Sequence, residues 1–375
     1  MAIDLSKLGP SRSIDDLLAF SKFFLFGASA GAIEVENFLL SRNKSIVGYL
    51  DNSPAKHGTL FRGRMVIDPT TLFDHIDGQT AIIISSAYQV EIAEQLIDQL
   101  DIKPSQVFSF VSEMFHKHFG AAAVTEHLEA INRLKDMVAD QESRDYIDNL
   151  IRFRWTMDPR ELKRNPCLTG FYDYRPLHAQ TTSDVGPFKG DRIIDCGAFN
   201  GDTAKAFLDR LDNDCEIIAI EPVTANYDAL SQWVDSNGLE AQVTPLKLGV
   251  GETRATMTIE VTADAEDPRA TLTASKNNTQ SEEVAIESID SIVNGGPNKV
   301  DYVKIDIEGF EPEALRGAAG VLNRDRPDLA IAGYHKCEHL WELPQLITQI
   351  EPSYKIFVGH HPAAPYECEF FCTAR

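Results

Sequence analysis

The sequence predicts an α/β protein with two parallel sheets and a helical connection between them. Apolar strands alternate with amphipathic helices over about residues 22–110, and the same alternation begins again at Asp191. A charged, helix-favouring stretch without strand signals separates the two, from Met114 to about Leu162. Strands that alternate with helices are typical of parallel sheets. We therefore expect an N-terminal α/β domain at 1–112, a helical connector at 113–180 and a C-terminal α/β domain at 181–375.

Length and charge limit the kinds of protein that this chain can be. Its 375 residues exceed what one hydrophobic core usually organises, which agrees with two domains. Aspartate and glutamate number 57 against 35 lysines and arginines, so the formal charge is −22. Because affinity for nucleic acid comes largely from cations that neutralise phosphates, this balance argues against a nucleic-acid partner. We expect a substrate that is neutral, cationic or small.

Targeting and cysteine signals predict a soluble cytoplasmic protein. The N-terminus has no basic segment followed by an apolar core, and no later stretch supplies the roughly 18 apolar residues of a membrane span. The six cysteines form neither a CxxC pair nor a regular framework. A chain of this length needs no disulfides to hold its core, so we expect reduced thiols.

The N-terminal part is typical of a series of βα units. Residues 22–30 (KFFLFGASA) are an apolar strand that runs into a turn of small residues, and a helix with apolar positions at helical spacing follows from Gly31 to Leu40. The remaining predicted elements are strands at Ser45–Leu50, Thr80–Ser85 and near residue 110, a helix at 89–100, and irregular chain at 165–177.

A glycine-containing loop follows the first strand. Gly27 and Gly31 bracket three small residues, and Asp51 ends the second strand 24 residues after Gly27. This pattern is a GxGxxG short of one glycine, of the kind that holds a nucleotide in Rossmann-like domains. The segment GYLDNSPAKHGTLFRGRMVIDP also resembles the N-terminal Rossmann-like domains of some sugar-modifying enzymes, which makes a nucleotide or nucleotide sugar the candidate ligand. A scaffold or docking domain without a ligand is the alternative.

The C-terminal part begins with two clear βα units and ends with two strands. The first units comprise the strand RIIDCG, a helix at about 203–211, the strand EIIAIEP and a helix at 224–237. Two weaker strands follow at 243–250 and 253–261, and then a polar stretch up to about Glu282 that we expect to be a mobile loop. The next predicted elements are the strand DYVKIDIEG at 301–309, a helix opening with Pro312, and the strand DLAIAGYH at 328–335. YKIFVGHH and CEFFCTA predict an antiparallel hairpin at the edge of the sheet.

The turn after RIIDCG carries the chemistry of a ligand site. Its glycines let a ligand approach the backbone closely, and a helix follows. In dinucleotide folds such a loop receives a pyrophosphate, but Asp202 would sit where that phosphate must go. A cationic ligand fits better, and S-adenosylmethionine carries a sulfonium and an ammonium that Asp195 and Asp202 could face. Glu221 closes the next strand, 26 residues after Asp195, where an acid can accept both ribose hydroxyls.

Several segments together indicate a known family: IIDCGAFNGDT, AIEPVTANYDAL, VDYVKIDIEGFEPEALRGA and the YHK-containing strand. Over roughly residues 190–375 the chain resembles the FkbM family of methyltransferases, in which KIDIEG is a marker. The resemblance implies a class I Rossmann-like methyltransferase sheet with a terminal antiparallel hairpin, S-adenosylmethionine as cofactor, and methylation of a hydroxyl on a sugar, glycan or related metabolite. It implies cofactor contacts from Asp195, Gly197, Ala198, Gly201, Asp202, Glu221 and Asn226. Phe199 departs from the family, since many relatives have Asn there.

Methyl transfer to a hydroxyl needs a group that orients the acceptor and a base that removes its proton. Asp306 and Glu308 lie near the carboxyl end of the DYVKID strand, which faces the ligand crevice of an open α/β sheet, and either could bind or deprotonate an acceptor. His335 ends the next predicted strand, and an unperturbed pKa near 6.5 suits proton abstraction. We therefore prefer His335 as the base; a histidine hydrogen-bonded at a strand end is the structural alternative.

We expect no metal site. His335, Cys337 and His339 alternate, and His360 and His361 lie farther on, but this spacing matches no standard zinc pattern. The alternative is a cluster for a hard cation, made of Asp306, Glu308 and Glu311.

Two further functions stay open beside the methyltransferase. The first is an NAD-dependent oxidoreductase that uses the Gly27 loop. Against it, that loop lacks one glycine, and Asp202 would sit where the phosphate of a dinucleotide must bind in the second loop. The second is a non-catalytic module that binds a nucleotide sugar or a partner protein through the N-terminal domain. The fold supports a class of reaction and leaves the substrate open.

Overall fold

The computed structural model describes residues 2–86, 88–109, 118–162, 168–170, 172–175, 184–262, 279–293, 299–361 and 364–375. The chain forms two compact units. The first comprises Met1–Asn132, Asp145–Arg164 and Ala363–Pro365, and the second comprises Arg133–Arg144, Asn165–Pro362 and Tyr366–Arg375. In the described part of the chain, every helix is too short or too polar to span a membrane.

The first unit is built on a six-stranded sheet. Its strands are β1 (Lys22–Phe26), β2 (Ser45–Leu50), β3 (Leu60–Phe61), β4 (Arg64–Ile67), β5 (Thr80–Ile84) and β6 (Val107–Ser109). They lie in the order β3-β4-β2-β1-β5-β6, parallel except for β3, which pairs antiparallel with β4. The helices are α1 (Ile14–Leu18), α2 (Gly31–Ser41) and α3 (Gln89–Glu94), and α3 continues as a π-helix at Gln95–Gln99. Short 3-10 helices lie at Leu5–Lys7, Pro54–Lys56, Pro69–Asp74, Pro104–Gln106 and Pro159–Glu161.

Strand β1 shows why this sheet is apolar throughout. Phe23 and Leu25 pack on the face that α2 covers, whereas Phe24 and Phe26 pack on the face that α3 covers. A parallel strand with helices on both faces carries a continuous apolar run instead of an alternating one. The parallel N-terminal sheet expected from the sequence is therefore confirmed.

Two long helices follow, α4 (Ala121–Met137) and α5 (Gln141–Thr156), where the sequence predicts helical chain. The expectation of irregular chain at 165–177 is wrong for part of that range, because β7 (Leu168–Gly170) pairs antiparallel with β8 (Asp173–Tyr174). Tyr174 explains the order there, since its backbone exchanges hydrogen bonds of 2.9 and 2.8 Å with Val185 and its hydroxyl donates to Asp140.

The second unit is built on a seven-stranded sheet. Its strands are β9 (Arg192–Cys196), β10 (Glu216–Ile220), β11 (Val243–Leu246), β15 (Tyr302–Ile305), β16 (Asp328–Ala332), β17 (Lys355–His361) and β18 (Ala364–Thr373). They lie in the order β11-β10-β9-β15-β16-β18-β17, with β18 antiparallel to β16. Helices accompany the parallel strands: α6 (Asp202–Arg210), α7 (Thr224–Asn237), α8 (Ile289–Val293), α9 (Glu311–Arg316), α10 (Ala319–Arg324) and α11 (His339–Ile350). The expected Rossmann-like sheet, with the last two strands at one edge, is confirmed.

A separate three-stranded sheet is inserted between β11 and β15. It consists of β12 (Gly249–Val250), β13 (Ala255–Thr262) and β14 (Thr279–Glu287), in the order β12-β14-β13. The single strand expected at 243–250 therefore divides between two sheets. The end of the polar stretch expected to be a mobile loop belongs to β14, and residues 263–278 of that stretch lie outside the described residues.

Strand β16 ends earlier than the sequence suggests. It stops at Ala332, and Gly333 donates a last backbone hydrogen bond to Cys368 before the chain turns away. His335 was expected to end the strand, but it lies in the turn that follows. This turn brings His335 beside the residues that follow β15.

Candidate active site

A pocket of about 360 Å³ lies at the carboxyl ends of the parallel strands in the second unit. The segments that follow β9, β10 and β15 contribute to it, and apolar side chains of the three-stranded sheet form another part of its wall. Ligands of open α/β sheets bind at this edge. The residues on the wall that the sequence singled out for a role are Gly197, Asp202, Glu221, Asn226, Asp306 and Glu308.

The loop after β9 adopts a tight conformation because glycine occupies two of its positions. Gly197 has a φ of +80°, and a Cβ atom there would lie 1.9 Å from the carbonyl oxygen of Asp306. Gly201 has a φ of +94°, and a Cβ atom there would lie 2.8 Å from the ring of Trp233. Only glycine fits both the conformation and the space. The loop then enters α6, whose first residue, Asp202, lies on the pocket wall.

Glu221 ties the loop after β9 to the end of β10. Its carboxylate accepts hydrogen bonds from the backbone N–H of Phe199 at 3.0 Å and of Val223 at 3.0 Å, and from Asn226 Nδ2 at 3.2 Å. Burial raises the pKa of Glu221, and these three donors oppose the rise by stabilising the ionised form. Glu221 and Asn226 are thus fixed together on the pocket wall.

Asp195 does not reach the pocket. It is completely buried in β9, and Lys304, its register partner on β15, places Nζ 3.1 Å from Asp195 Oδ1. Lys304 Nζ also donates to the carbonyl oxygen of Gly197 at 2.7 Å. Burial alone would lower the pKa of Lys304, but Asp195 and Asp306 together raise it above its ordinary value. Asp195 therefore faces a lysine of its own chain. From the sequence we expected it to face the cationic end of a ligand.

Two other residues expected to contact a cofactor also lie behind the wall. Ala198 is completely buried in the core, and Gly201 packs against Trp233. Phe199, the departure from the family pattern, does line the pocket. A cofactor contact from Asp195, Ala198 or Gly201 stays a prediction that this placement does not favour.

Asp306 lies on the pocket wall just after β15, and β9 separates that strand from β10, which Glu221 follows. Its carboxylate accepts hydrogen bonds from Tyr172 at 2.9 Å and from Tyr334 at 3.3 Å. Burial favours a raised pKa, but the charges of Lys304 and His335 and the two tyrosine hydroxyls hold the pKa of Asp306 below its ordinary value. Asp306 is therefore ionised and oriented, but it is a weak base.

His335 lies behind the pocket wall, among three carboxylates. Its Nδ1 is 2.8 Å from Glu311 Oε1, and its Nε2 is 3.5 Å from Asp306 Oδ1 and 3.6 Å from Glu308 Oε2. Burial alone would lower its pKa, but the hydrogen bond to Glu311 and the negative charges raise the pKa of His335 to about 9. The unperturbed value near 6.5, on which its expected role as a base depends, therefore does not hold. At neutral pH this side chain already carries the proton.

Glu308 is the carboxylate of this group that solvent reaches. Its side chain is 43% exposed and lines the pocket, and the residue has a positive φ of +58°. Partial burial raises the pKa of Glu308 above its ordinary value. The pKa of Glu308 is raised above its ordinary value, whereas the pKa of Asp306 is lowered. Glu308 is therefore the stronger base of the two predicted catalytic carboxylates.

The structure brings only some of the residues considered for a metal site together. Donor atoms of Asp306, Glu311 and His335 lie within 4.8 Å of one another. His339 Nδ1 is 3.2 Å from the second oxygen of Glu311. Among the residues that the structure describes, Cys337 takes no part in such a cluster, so the alternating His-Cys-His pattern does not form a site.

The candidate nucleotide loop of the first unit is engaged by its own chain. Asp51 Oδ2 accepts hydrogen bonds from the backbone N–H of Ala28 at 3.0 Å and from Lys56 Nζ at 2.7 Å, and Asp51 Oδ1 accepts from the backbone N–H of Ser53 at 2.9 Å. Asp51, the acid at the end of the second strand, therefore stabilises the turns after β1 and β2. A nucleotide ligand for this unit stays a prediction.

The pocket wall also includes residues that were not singled out from the sequence, among them Tyr172, Lys304 and Glu367. A lysine inside the apolar strand YVKI is a signal that could have found Lys304, because a buried ammonium needs a partner. Tyr172 lies in a segment without periodicity, and Glu367 lies on the last strand among alternating residues. Neither offers a sequence signal for the pocket.

The sheet order and the pocket at its carboxyl edge define the second unit as a Rossmann-like domain of the methyltransferase type. Residues 195–361 match the family model described as the methyltransferase FkbM domain. The resemblance noted from the motifs of this part of the chain is thereby confirmed. No curated protein matches the sequence.

Solved structures with similar folds include a crystal structure described as methyltransferase FkbM from Methylobacillus flagellatus KT. It is 19% identical with a TM-score of 0.66, over 94% of this chain and 90% of that one. A putative rRNA-methylase from Clostridium thermocellum is 8% identical with a TM-score of 0.33, over 49% and 86%. A SAM-dependent methyltransferase from Aquifex aeolicus is 15% identical with a TM-score of 0.31, over 50% and 84%. The first likeness shows a shared fold, and the resemblance of the N-terminal domain to sugar-modifying enzymes is not confirmed.

Proposed function

We propose that the second unit binds S-adenosylmethionine in this pocket and methylates a hydroxyl of a sugar, glycan or related metabolite. One observation carries the proposal: a single pocket is lined by Gly197, Asp202 and Glu221, which follow β9 and β10, and by Asp306 and Glu308, which follow β15. The formal charge of −22 and the acidic wall favour a neutral or cationic acceptor.

The pocket fits the cofactor in shape and in charge. Gly197 lines the pocket with its backbone alone, since a Cβ atom there would collide with Asp306. Glu221 retains acceptor capacity toward ribose hydroxyls, since a carboxylate has about four lone-pair sites and three are used. Asp202 supplies negative charge toward a sulfonium or an ammonium. When bound, S-adenosylmethionine would supply the methyl group from its sulfonium.

The carboxylates that follow β15 would hold the acceptor and take its proton. Asp306, fixed by Tyr172 and Tyr334, is placed to orient the hydroxyl. The cofactor would supply the methyl group to the acceptor oxygen. Glu308 would receive the hydroxyl proton and pass it to water. His335, already protonated, holds both carboxylates in place through its charge.

Turnover of variants tests this assignment. With a panel of hydroxylated sugars and glycans, we expect S-adenosylhomocysteine and a methylated product to form, and we expect Glu308→Gln to lower turnover by about 10² or more because the proton acceptor is lost. Glu240→Gln, an exposed carboxylate in the same unit, is the matched control. Product mass and S-adenosylhomocysteine are measured together.

The pH dependence separates Glu308 from His335. If His335 were the base, turnover would rise about tenfold per unit up to about pH 9, because only the neutral imidazole accepts a proton. His335→Asn would then abolish that rise. With Glu308 as the acceptor we expect no such rise between pH 7 and 8, so a rise that disappears in His335→Asn would return the role to His335.

A further inference from the structure

We propose that Asp306, Glu308 and His335 bind one divalent cation where the proposed acceptor would bind. This site rests on the proposed function only for its catalytic role, because binding of the cation follows from the donor atoms themselves. From the sequence we expected no metal site, and the alternative was a cluster of the three carboxylates of Asp306, Glu308 and Glu311. The structure adds the imidazole of His335 to that cluster. It places Glu311, the first residue of α9, behind the imidazole ring.

The imidazole is held as a metal-binding histidine is usually held. Glu311 is completely buried and accepts backbone hydrogen bonds from Ile307 at 3.0 Å and Gly309 at 3.2 Å, so its position is fixed. Its Oε1 lies 2.8 Å from His335 Nδ1. A carboxylate on one ring nitrogen orients the ring and directs the other nitrogen toward a metal ion.

The second ring nitrogen points between two carboxylates. His335 is nine-tenths buried, and its Nε2 makes no hydrogen bond with any residue that the structure describes. The nearest carboxylate oxygens, from Asp306 and Glu308, lie 3.5 and 3.6 Å from Nε2. These separations are longer than good hydrogen bonds and close to the roughly 3 Å that separates neighbouring ligands around an ion with bonds of about 2.1 Å.

The charges around His335 also favour a cation. Asp306, Glu308 and Glu311 all lie within 3.6 Å of a ring nitrogen, so three carboxylates surround one side chain that carries at most a single positive charge. The nearby cation Lys304 is already paired with an acid on β9. Buried charges need partners, and a divalent ion would supply a balance that one proton does not. On binding, the ion would displace the proton that Nε2 of His335 carries in the metal-free protein.

The donor set selects the class of ion. Two carboxylates and one imidazole suit Mg²⁺, Mn²⁺ or a similar ion that keeps open positions for water and substrate. One open position would face the pocket, because Asp306 and Glu308 line it. An acceptor hydroxyl bound there would lose its proton more easily, which would help carboxylates that are weak bases.

Manganese binding to the full chain tests the site directly. We expect Mn²⁺, followed by electron paramagnetic resonance, to bind one ion per chain with a dissociation constant at or below about 1 mM. His335→Gln and Asp306→Asn should each weaken binding by about tenfold or more, because each removes a ligand. Glu240→Gln, with the same loss of charge on an exposed residue, should bind Mn²⁺ as the wild type does.

Circular dichroism and melting temperature establish that each variant is folded, and Glu308→Gln, which alters the most exposed ligand, provides a second test if the others do not fold. Wild-type protein that binds no Mn²⁺, or folded variants that bind it as tightly as wild type, would overturn the proposal. Methyl transfer that persists in EDTA would overturn its catalytic role alone. Absence of S-adenosylmethionine binding would instead contradict the proposed function and leave the cation site standing.

Discussion

At the scale of single residues, burial and pairing decide the charge of each acid in the second unit. Asp195 is completely buried but lies against Lys304. Glu369 is also buried, and burial together with the nearby charge of Asp306 raises the pKa of Glu369 well above its ordinary value. Acids of equal rank in the sequence therefore differ in pKa because their neighbours differ.

Asp328, the first residue of β16, gives a stability prediction. Burial raises the pKa of Asp328 from 3.8 to about 6. An acid whose pKa is raised in the folded state stabilises the fold while it is protonated, and this contribution is lost as the pH rises through about 6. The shift corresponds to roughly 3 kcal/mol at most. We expect Asp328→Asn to melt above wild type at pH 8, with a smaller advantage at pH 5, as measured by calorimetry.

Asp235→Asn is the control for Asp328, because Asp235 is an exposed acid of the same unit. Its melting temperature should differ little from wild type at either pH. An Asp328→Asn advantage that is the same at pH 5 and pH 8, or absent at both, would show that the ionised form of Asp328 does not cost stability.

At the scale of elements, long apolar segments could be located from the sequence and short ones could not. The strand at Ser45–Leu50 was predicted with its observed bounds, because its run of apolar residues lies between clear turn signals. Strands β7 and β8 have three and two residues, too few for a periodic pattern. The inserted sheet was missed for another reason, since its order β12-β14-β13 depends on pairings that local patterns do not report.

The candidate site was predictable to the same extent. Acids at strand ends could be assigned to the carboxyl edge of the sheet, and Asp202, Glu221, Asp306 and Glu308 do line the pocket. The pairing of Asp195 with Lys304 required the register of β9 on β15, which the sequence does not contain. The environment of His335 likewise depends on where β16 ends.

The loop after β1 gives a prediction about the first unit. Because the carboxylate of Asp51 is already engaged, we expect NAD and nucleotide sugars to leave the melting temperature of the full chain unchanged. A stabilising shift that persists in Gly78→Val but disappears in Gly27→Val would instead establish a nucleotide site at this loop. Gly78 is the control since a Cβ atom added there would meet no other atom within 4 Å, whereas Gly27 has a φ of +111° beside Ser86.

At the scale of the whole molecule, the identified chemistry belongs to one part of the chain. The match to the methyltransferase FkbM family model spans residues 195–361, and the pocket and the carboxylate cluster lie in the second unit. The first unit has its own parallel sheet and its own core. We therefore propose that the second unit provides the S-adenosylmethionine site.

Calorimetric titration of the full chain with S-adenosylmethionine tests this claim most directly. We expect one molecule to bind per chain, and we expect Glu221→Gln to weaken binding by roughly tenfold to a hundredfold, as the loss of a charged hydrogen bond to ribose predicts. Glu216→Gln, at the opposite and exposed end of the same strand, should bind as the wild type does. Folded wild-type protein that releases no binding heat at several temperatures, or a Glu221→Gln variant with wild-type affinity, would contradict the account.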